Sequence, residues 1–192
     1  MLKFFFFRTL DCGISNGIDI TCEDLRKPGG LFRAVWVFNK SDLGIPIDVT
    51  LEDYITNLDF PTYKSLYKFE STKYSHEAVW AQQNGDGGNV SYLQTVTLRI
   101  PTNNPTSDKI IEDASVSELV VITRSNAGEY QIWGAENGLA SGDGTTGGSG
   151  RQSTDSTFTQ LVLTGVERYL PKRLLIGGSD AATMAALEAM TF

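Results

Sequence analysis

Hydrophobic and polar residues alternate most cleanly between Gln94 and Ile100: Val96, Leu98 and Ile100 on one side, Thr95, Thr97 and Arg99 on the other. A period of two with many β-branched residues predicts a half-buried strand, here Val90 to Ile100. Pro101 cannot donate to a ladder and closes it. Asn104-Pro105 then offers a helix cap followed by proline at the first helical position. The spacing predicts a short helix over Asp108 to Ala114, with Ile110 and Ile111 turned to the core. Glu118 to Arg124 is an apolar run of strand length. Ser125 to Gly128 reads as a turn, and Glu129 to Gly134 as the return strand of a hairpin.

The remaining segments read as sheet built around this unit. Leu31 to Phe38 predicts an earlier strand with Phe32, Trp36 and Phe38 on one face. Arg33, Val35 and Val37 share the other, which places that face near an edge or an interface. Asn39 to Pro61 is irregular, with short strands expected at Ile47 to Leu51 and Tyr54 to Leu58. Loops of that length are commonly functional or interfacial. Tyr63 to Glu70 alternates again, and Ser75 to Gln82 follows the turn Ser71 to Tyr74. Tyr63 to Ile100 therefore reads as a three-strand meander.

Ala140 to Gln152 is almost all Gly, Ser, Thr and Asp, the composition of a mobile surface loop. Ser156 to Leu170 is the last long strand, with Gly165 as a candidate bulge. Leu174 to Ile176 adds a short pairing. After Gly177-Gly178-Ser179, a helix over Asp180 to Met190 gathers Met184, Leu187 and Met190 near one side. That side must be covered by this domain or by a neighbour. The strands come in hairpins and meanders, so their pairing is antiparallel. The expected fold is mainly β: an antiparallel β-sandwich or partly closed barrel with one flanking α-helix and a C-terminal helical extension. The organisation is an N-terminal arm (1–30), the β domain (31–176) and the helical extension (177–192). A length of 192 residues suits one such domain.

Charge narrows the picture. Sixteen basic against twenty-three acidic residues leave a net charge of -7. That argues against gripping nucleic acid by neutralising phosphates. It is compatible with a surface past which DNA slides, because like charge prevents sticking. Cys12, Cys22 and the single His76 do not make a four-ligand zinc site. The two cysteines are open to a disulfide or to the reduced state. The Phe4 to Phe7 run is shorter than a signal-peptide core or a membrane span. We read it as a strand or an arm that buries its phenylalanines, with no membrane anchoring.

Candidate chemistry is thin. Gly13-Ile14-Ser15-Asn16-Gly17 spells a nucleophile elbow, but no helix follows it and His76 is the only available base, so an ordinary turn is expected. Asp86 and Asp143 lie between glycines without the carboxylate series that calcium needs. No catalytic residue, metal or cofactor is expected. Patterned sheet, long hairpins and loose ends point to a chain that assembles.

Three groups of residues carry a resemblance. Near the start, Gly17-Ile18-Asp19-Ile20-Thr21-Cys22 and Gly29-Gly30-Leu31 lead into a strand ending Phe38-Asn39-Lys40. In the middle, strand, helix and strand pair include Asn126 to Gly134, then Glu136-Asn137-Gly138-Leu139 and a glycine-rich loop. Near the end, Thr164-Gly165-Val166-Glu167 lies inside a closing strand. In this order, over roughly Gly13 to Tyr169, the chain resembles the tail tube proteins of tailed bacteriophages. The resemblance implies a virion protein, made in the host cytoplasm, whose copies form hexameric rings that stack into a tube. Hairpins would join edge to edge around a lumen through which DNA passes non-specifically.

The partners so implied are other copies of the chain, together with tape-measure, sheath, baseplate and connector proteins. The expected lumen hairpins are Tyr63 to Gln82 with its continuation to Ile100, and Glu118 to Gly134. Asn39 to Pro61 and the C-terminal helix are expected at ring-to-ring contacts. The interface residues expected on this basis are Asp48, Leu51, Tyr54, Tyr67, Asp86, Tyr92, Met184 and Leu187. A tail terminator, collar, baseplate hub or capsid-decoration protein is the nearest alternative. A carbohydrate-binding sandwich using Trp36, Trp80 or Trp133 is a more distant one.

Overall fold

A computed structural model describes residues 27–50, 54–61, 66–85, 88–101, 104–148 and 158–192. The Phe4 to Phe7 arm, the Ser15 turn, both cysteines, Leu51 and Asp86 lie outside them. Among the described residues there are ten strands and two α-helices. In chain order the strands are β1 (Ala34–Asn39), β2 (Tyr67–Glu70), β3 (Glu77–Asn84), β4 (Val90–Ile100), β5 (Leu119–Arg124) and β6 (Tyr130–Trp133). β7 (Ala140–Ser141), β8 (Thr146–Gly148), β9 (Phe158–Glu167) and β10 (Lys172–Leu174) follow. Helix α1 (Pro105–Ser115) joins β4 to β5, and α2 (Asp180–Ala189) comes last.

The expected antiparallel sandwich is present, as two five-stranded sheets that do not close into a full barrel. Sheet I runs β10-β6-β5-β1-β2. Sheet II runs β3-β4-β9-β7, with β8 also paired to β9. Between the sheets, Val35, Val37 and Val121 meet Val96, Leu98 and Leu161. On the far side of sheet I, Trp36, Phe38 and Ile122 pack with Ile55, Leu58 and Leu187. Sheet I is thus a middle layer, covered by sheet II on one face and by α2 with the 43–60 segment on the other. Each aliphatic side chain so buried contributes about 1.5–3 kcal/mol.

This double cover corrects the reading of β1. Trp36 and Phe38 do face one core, as their spacing says. Val35 and Val37 are equally buried, because β1 sits between β5 and β2 and faces sheet II. The same cover explains the irregular segment. No described residue of Ile47 to Leu58 joins a regular strand, and Ile55 makes only one isolated bridge, to Leu174.

The three-strand meander is not formed. β3 pairs with β4, but β2 pairs with β1 in the other sheet. The chain changes sheets between Glu70 and Glu77, through Tyr74 at a φ of 63°. Ser71 still donates to the Arg33 carbonyl (3.0 Å), extending the β1 ladder one residue before the crossing. An alternating pattern fixes which side chains share a face, not which strand lies alongside.

Helix α1 begins as its cap dictates. Asn104 accepts from Thr106 and Ser107, the Ser107 hydroxyl answers the Asn104 N–H, and Pro105 follows in the first turn. The residues it buries are Ser107 and Ala114, not Ile110 and Ile111. Three small or partly covered positions, 107, 111 and 114, face inward at helical spacing. Ile110 lies one step round and remains 45% exposed.

The described part of the glycine-rich stretch, Ala140 to Gly148, is laid into sheet II. β7 and β8 lie along β9, and Thr145 Oγ1 accepts from the Val162 N–H at 3.1 Å. Backbone ladders order it where apolar side chains could not. Gly165 is no bulge either, since it pairs in register with Gln94. Its role is clearance. A Cβ there would collide with the Gly138 carbonyl oxygen and lie 2.9 Å from Leu139 Cδ2. Gly165→Val should therefore destabilise the fold by about 1–3 kcal/mol, the usual cost of overpacking. A urea midpoint equal to the parent's would contradict this.

Candidate assembly surfaces

Sheet II is held to sheet I by buried polar groups as well as by its apolar face. His76, at the sheet crossing, is buried. Its Nδ1 accepts the Arg99 backbone N–H at 3.3 Å, so its Nε2 donates to the Arg33 carbonyl at 3.1 Å. One imidazole thus ties β4 of one sheet to the residue preceding β1 of the other. Burial pushes its pKa below the usual histidine value. Both nitrogens are committed to backbone, which leaves no lone pair for the base role that a serine nucleophile would require.

Two further groups fix the turn from β6 into β7. Gln94 Oε1 accepts from Gly134 N–H at 3.0 Å, and its Nε2 donates to the Tyr169 carbonyl at 3.0 Å. The buried Glu167 carboxylate accepts from the N–H groups of Asn137 (2.9 Å) and Glu136 (3.1 Å). Burial raises the Glu167 pKa, and these backbone donors oppose that rise. Gly134 and Gly138, at φ of 72° and 86°, let the turn close.

With its inner side so held, sheet II presents the other side outward. The register gives that side Val79, Ala81, Leu93, Thr95, Thr97 and Val166, with Gln and Thr beyond. Glu77 and Arg99 are the charged side chains at outward positions of β3, β4 and β9. Arg99 lies over the Phe158 ring at 3.7 Å. The net charge of -7 therefore resides elsewhere.

Strand β3 is an edge. Among the described residues, none pairs with its far side. Seven of its eight residues are exposed, all but Ala78. The hairpin of β3 and β4 extends past β9, whose pairing ends at Tyr92. Trp80, on the inward side of the edge strand, is 50% exposed and meets Tyr92 edge-on at 5.9 Å. Long exposed edges of this kind are ready templates for another strand.

A second surface is an apolar cleft between β2 and α1. Tyr67, Phe69, Ile110 and Leu119 line an open volume of about 300 Å³. It leads toward the core between the sheets, where Phe69 and Leu119 belong. Tyr67 is 47% exposed and stacks on Phe192 at 5.2 Å. Asp113, the charged side chain in its lining, is paired with Lys109 at 3.3 Å. Lys68, on the α2 side of β2, meets Glu70 (3.0 Å) and Glu188 (2.8 Å).

The expected interface residues separate under this geometry. Leu187 is fully buried against sheet I and Met184 packs beside it, so α2 spends these side chains inside the chain. Their helix is latched at its start. Arg124 donates twice to Asp180, at 3.2 and 2.7 Å, and Ser179 caps the first turn. The β5 and β6 hairpin cannot face a lumen, because both its sides are covered. Asp48 and Tyr54 are exposed on the irregular segment, Tyr67 lies at the cleft, and Tyr92 stands on the overhanging hairpin. These four do not converge on one site. Sequence reasoning named Trp80 only as a sugar-binding candidate, turned Ile110 to the core and gave Val79 no role. The run from Val79 to Leu93, with Asp86 as its one charged residue, was the available signal.

Among the described residues, no three His, Cys, Asp or Glu side chains gather as metal ligands. No helix there is long and apolar enough to cross a membrane. In comparisons with known proteins, no family model, no curated protein and no solved structure matches this chain.

Two outcomes follow from these contacts. The folded-state pKa of His76 lies below the unfolded value of about 6.5, so the unfolded chain binds the extra proton first. The stability it supports is present above that value and is lost as pH falls through the folded pKa. The slope is at most about 1.4 kcal/mol per pH unit. Denaturation between pH 7.5 and 5.5 should show this loss in the parent and not in His76→Gln. Asp180→Asn should release the start of α2 at a cost of about 1 kcal/mol, as the pair is only partly buried. Faster amide exchange in α2 would register it; unchanged exchange would rule the latch out.

Proposed function

We propose that this chain is a virion structural protein, a phage tail tube subunit whose copies join through sheet II into stacked rings. The observation that carries this reading is β3: an eight-residue edge strand, exposed, nearly uncharged and unpaired among the described residues. Such an edge is a hazard to a lone subunit and an asset to an assembling one. The opposite edge of sheet II carries only the short β7 and β8. Laying β3 of one copy along that edge of the next is a heterologous contact, which closes into a ring or continues as a filament.

In such a ring sheet II forms the inner wall, with hexameric closure implied by the family resemblance. Its Thr, Gln and Val lining offers DNA no cationic foothold, apart from Arg99 stacked on Phe158, so the genome passes without specific binding. The exposed Ile45, Asp48 and Tyr54 are available for stacking one ring on another. The same edge would also serve a protein that forms a single ring, such as a tail terminator or baseplate hub. Particle shape separates these.

Negative-stain images and light scattering of purified protein test the reading. Rings or tubes are expected, and a particle of 21.0 kDa at every concentration would refute it. Val79→Lys with Ala81→Lys should abolish assembly by placing charge on the edge strand. The thermal midpoint of the subunit should stay within a few degrees of the parent's, since both positions are exposed.

A further inference from the structure

The cleft between β2 and α1 is an unfilled mouth of the core, and another part of the same molecule has the chemistry to fill it. We infer that the cleft receives Trp80, with Tyr92 beside it, from the overhanging hairpin of a second copy. This rests on the assembly reading above and names the acceptor surface that goes with it.

The two surfaces match in kind. The acceptor is lined by Tyr67, Phe69, Ile110 and Leu119, and opens to about 300 Å³. The donor carries Trp80 at 50% and Val79 at 48% exposure, on an edge strand that no described residue pairs. A large aromatic seated in an apolar pocket is the usual centre of binding energy in an interface. Trp80 projects from the inward side of β3, the same side as Ala78, which packs on the core between the sheets. A neighbouring sheet that prolongs this one would send Trp80 toward the neighbour's own inter-sheet core. The cleft is the opening to that core, and α1, one of its walls, packs against β7 at the accepting edge.

Charge singles out the same pairing. Copies carrying -7 repel one another, so close contact is cheapest where local charge vanishes. From Val79 to Leu93 the donor holds one charged residue, Asp86. At the acceptor, Asp113 is the charged side chain that lines the cleft, and it is paired with Lys109. The cleft lining therefore leaves no charge to be desolvated without a partner. Donor and acceptor are different parts of one chain, so the contact runs head to tail.

Site-directed cross-linking tests this. In a Cys12→Ser, Cys22→Ser background, Gln82→Cys protein is mixed with Ser117→Cys protein and treated with a short bismaleimide. Position 82 shares the side of Trp80, and Ser117 lines the cleft. The expected product has twice the 21.0 kDa chain mass. It should be at least tenfold more abundant than from Gln82→Cys with Arg173→Cys, whose target is exposed on β10, at the edge of sheet I opposite β2. Adding Trp80→Ala to the donor should remove that excess while leaving its circular dichroism unchanged. Rings or tubes that form without the excess would overturn the cleft assignment and leave the assembly reading standing. Neither assembly nor cross-link would overturn both. A cross-link to Ser117→Cys from Phe5→Cys, in place of Gln82→Cys, would give the cleft to the N-terminal arm and overturn the assignment to the hairpin.

Discussion

Sheet I is covered on both faces, and the rest of the architecture follows from that. β1 and β5 are buried nearly throughout, so their side chains are consumed by two cores at once. One core needs sheet II; the other needs α2 and the irregular 43–60 segment. The segments that looked loose in sequence are therefore cladding. Among the described residues, sheet II commits its inner side, while its outer side and β3 edge are left open.

The two sheets are connected by polar groups at the places where the chain passes between them. His76 stands at the first crossing, and Gln94 with Glu167 at the turn from β6 to β7. Each satisfies backbone groups that a change of sheet would otherwise leave unpaired in a buried setting, where an orphan costs about 1–3 kcal/mol. Apolar contact alone would allow one sheet to slide over the other. Directional bonds at the crossings set a single register. A defined position for the overhanging hairpin, on which the proposed assembly relies, depends on that register.

Much of this was legible in the chain and some was not. The Val90 to Ile100 strand, the Asn104-Pro105 cap and the Ser125 to Gly128 turn were local signals, and the fold obeys them. The fold class followed from the number of strands and the shortage of crossovers. The partner of β2 was illegible, because alternation reports faces and carries no address. Burial of Val35 and Val37 was misjudged for a related reason: a strand buried on both sides can still carry an Arg at its border. The order in β7 and β8 escaped a reading that counts apolar side chains, since backbone bonds supply it. Of the expected interface residues, Leu187 belongs to the interior, while Tyr67 is half exposed at the cleft. Trp80 was named only as a sugar-binding candidate, because alternation does not show that its strand is an exposed edge.

The three tryptophans divide unequally between interior and surface. Trp36 and Trp133 are shielded, while Trp80 is half open to water on the hairpin. The chain consequently contains its own optical gauge. Two indoles report whether the body is folded, and the third reports whether the hairpin is covered. A blue shift with loss of acrylamide quenching, at constant circular dichroism, would mark the moment at which subunits meet, without any added label.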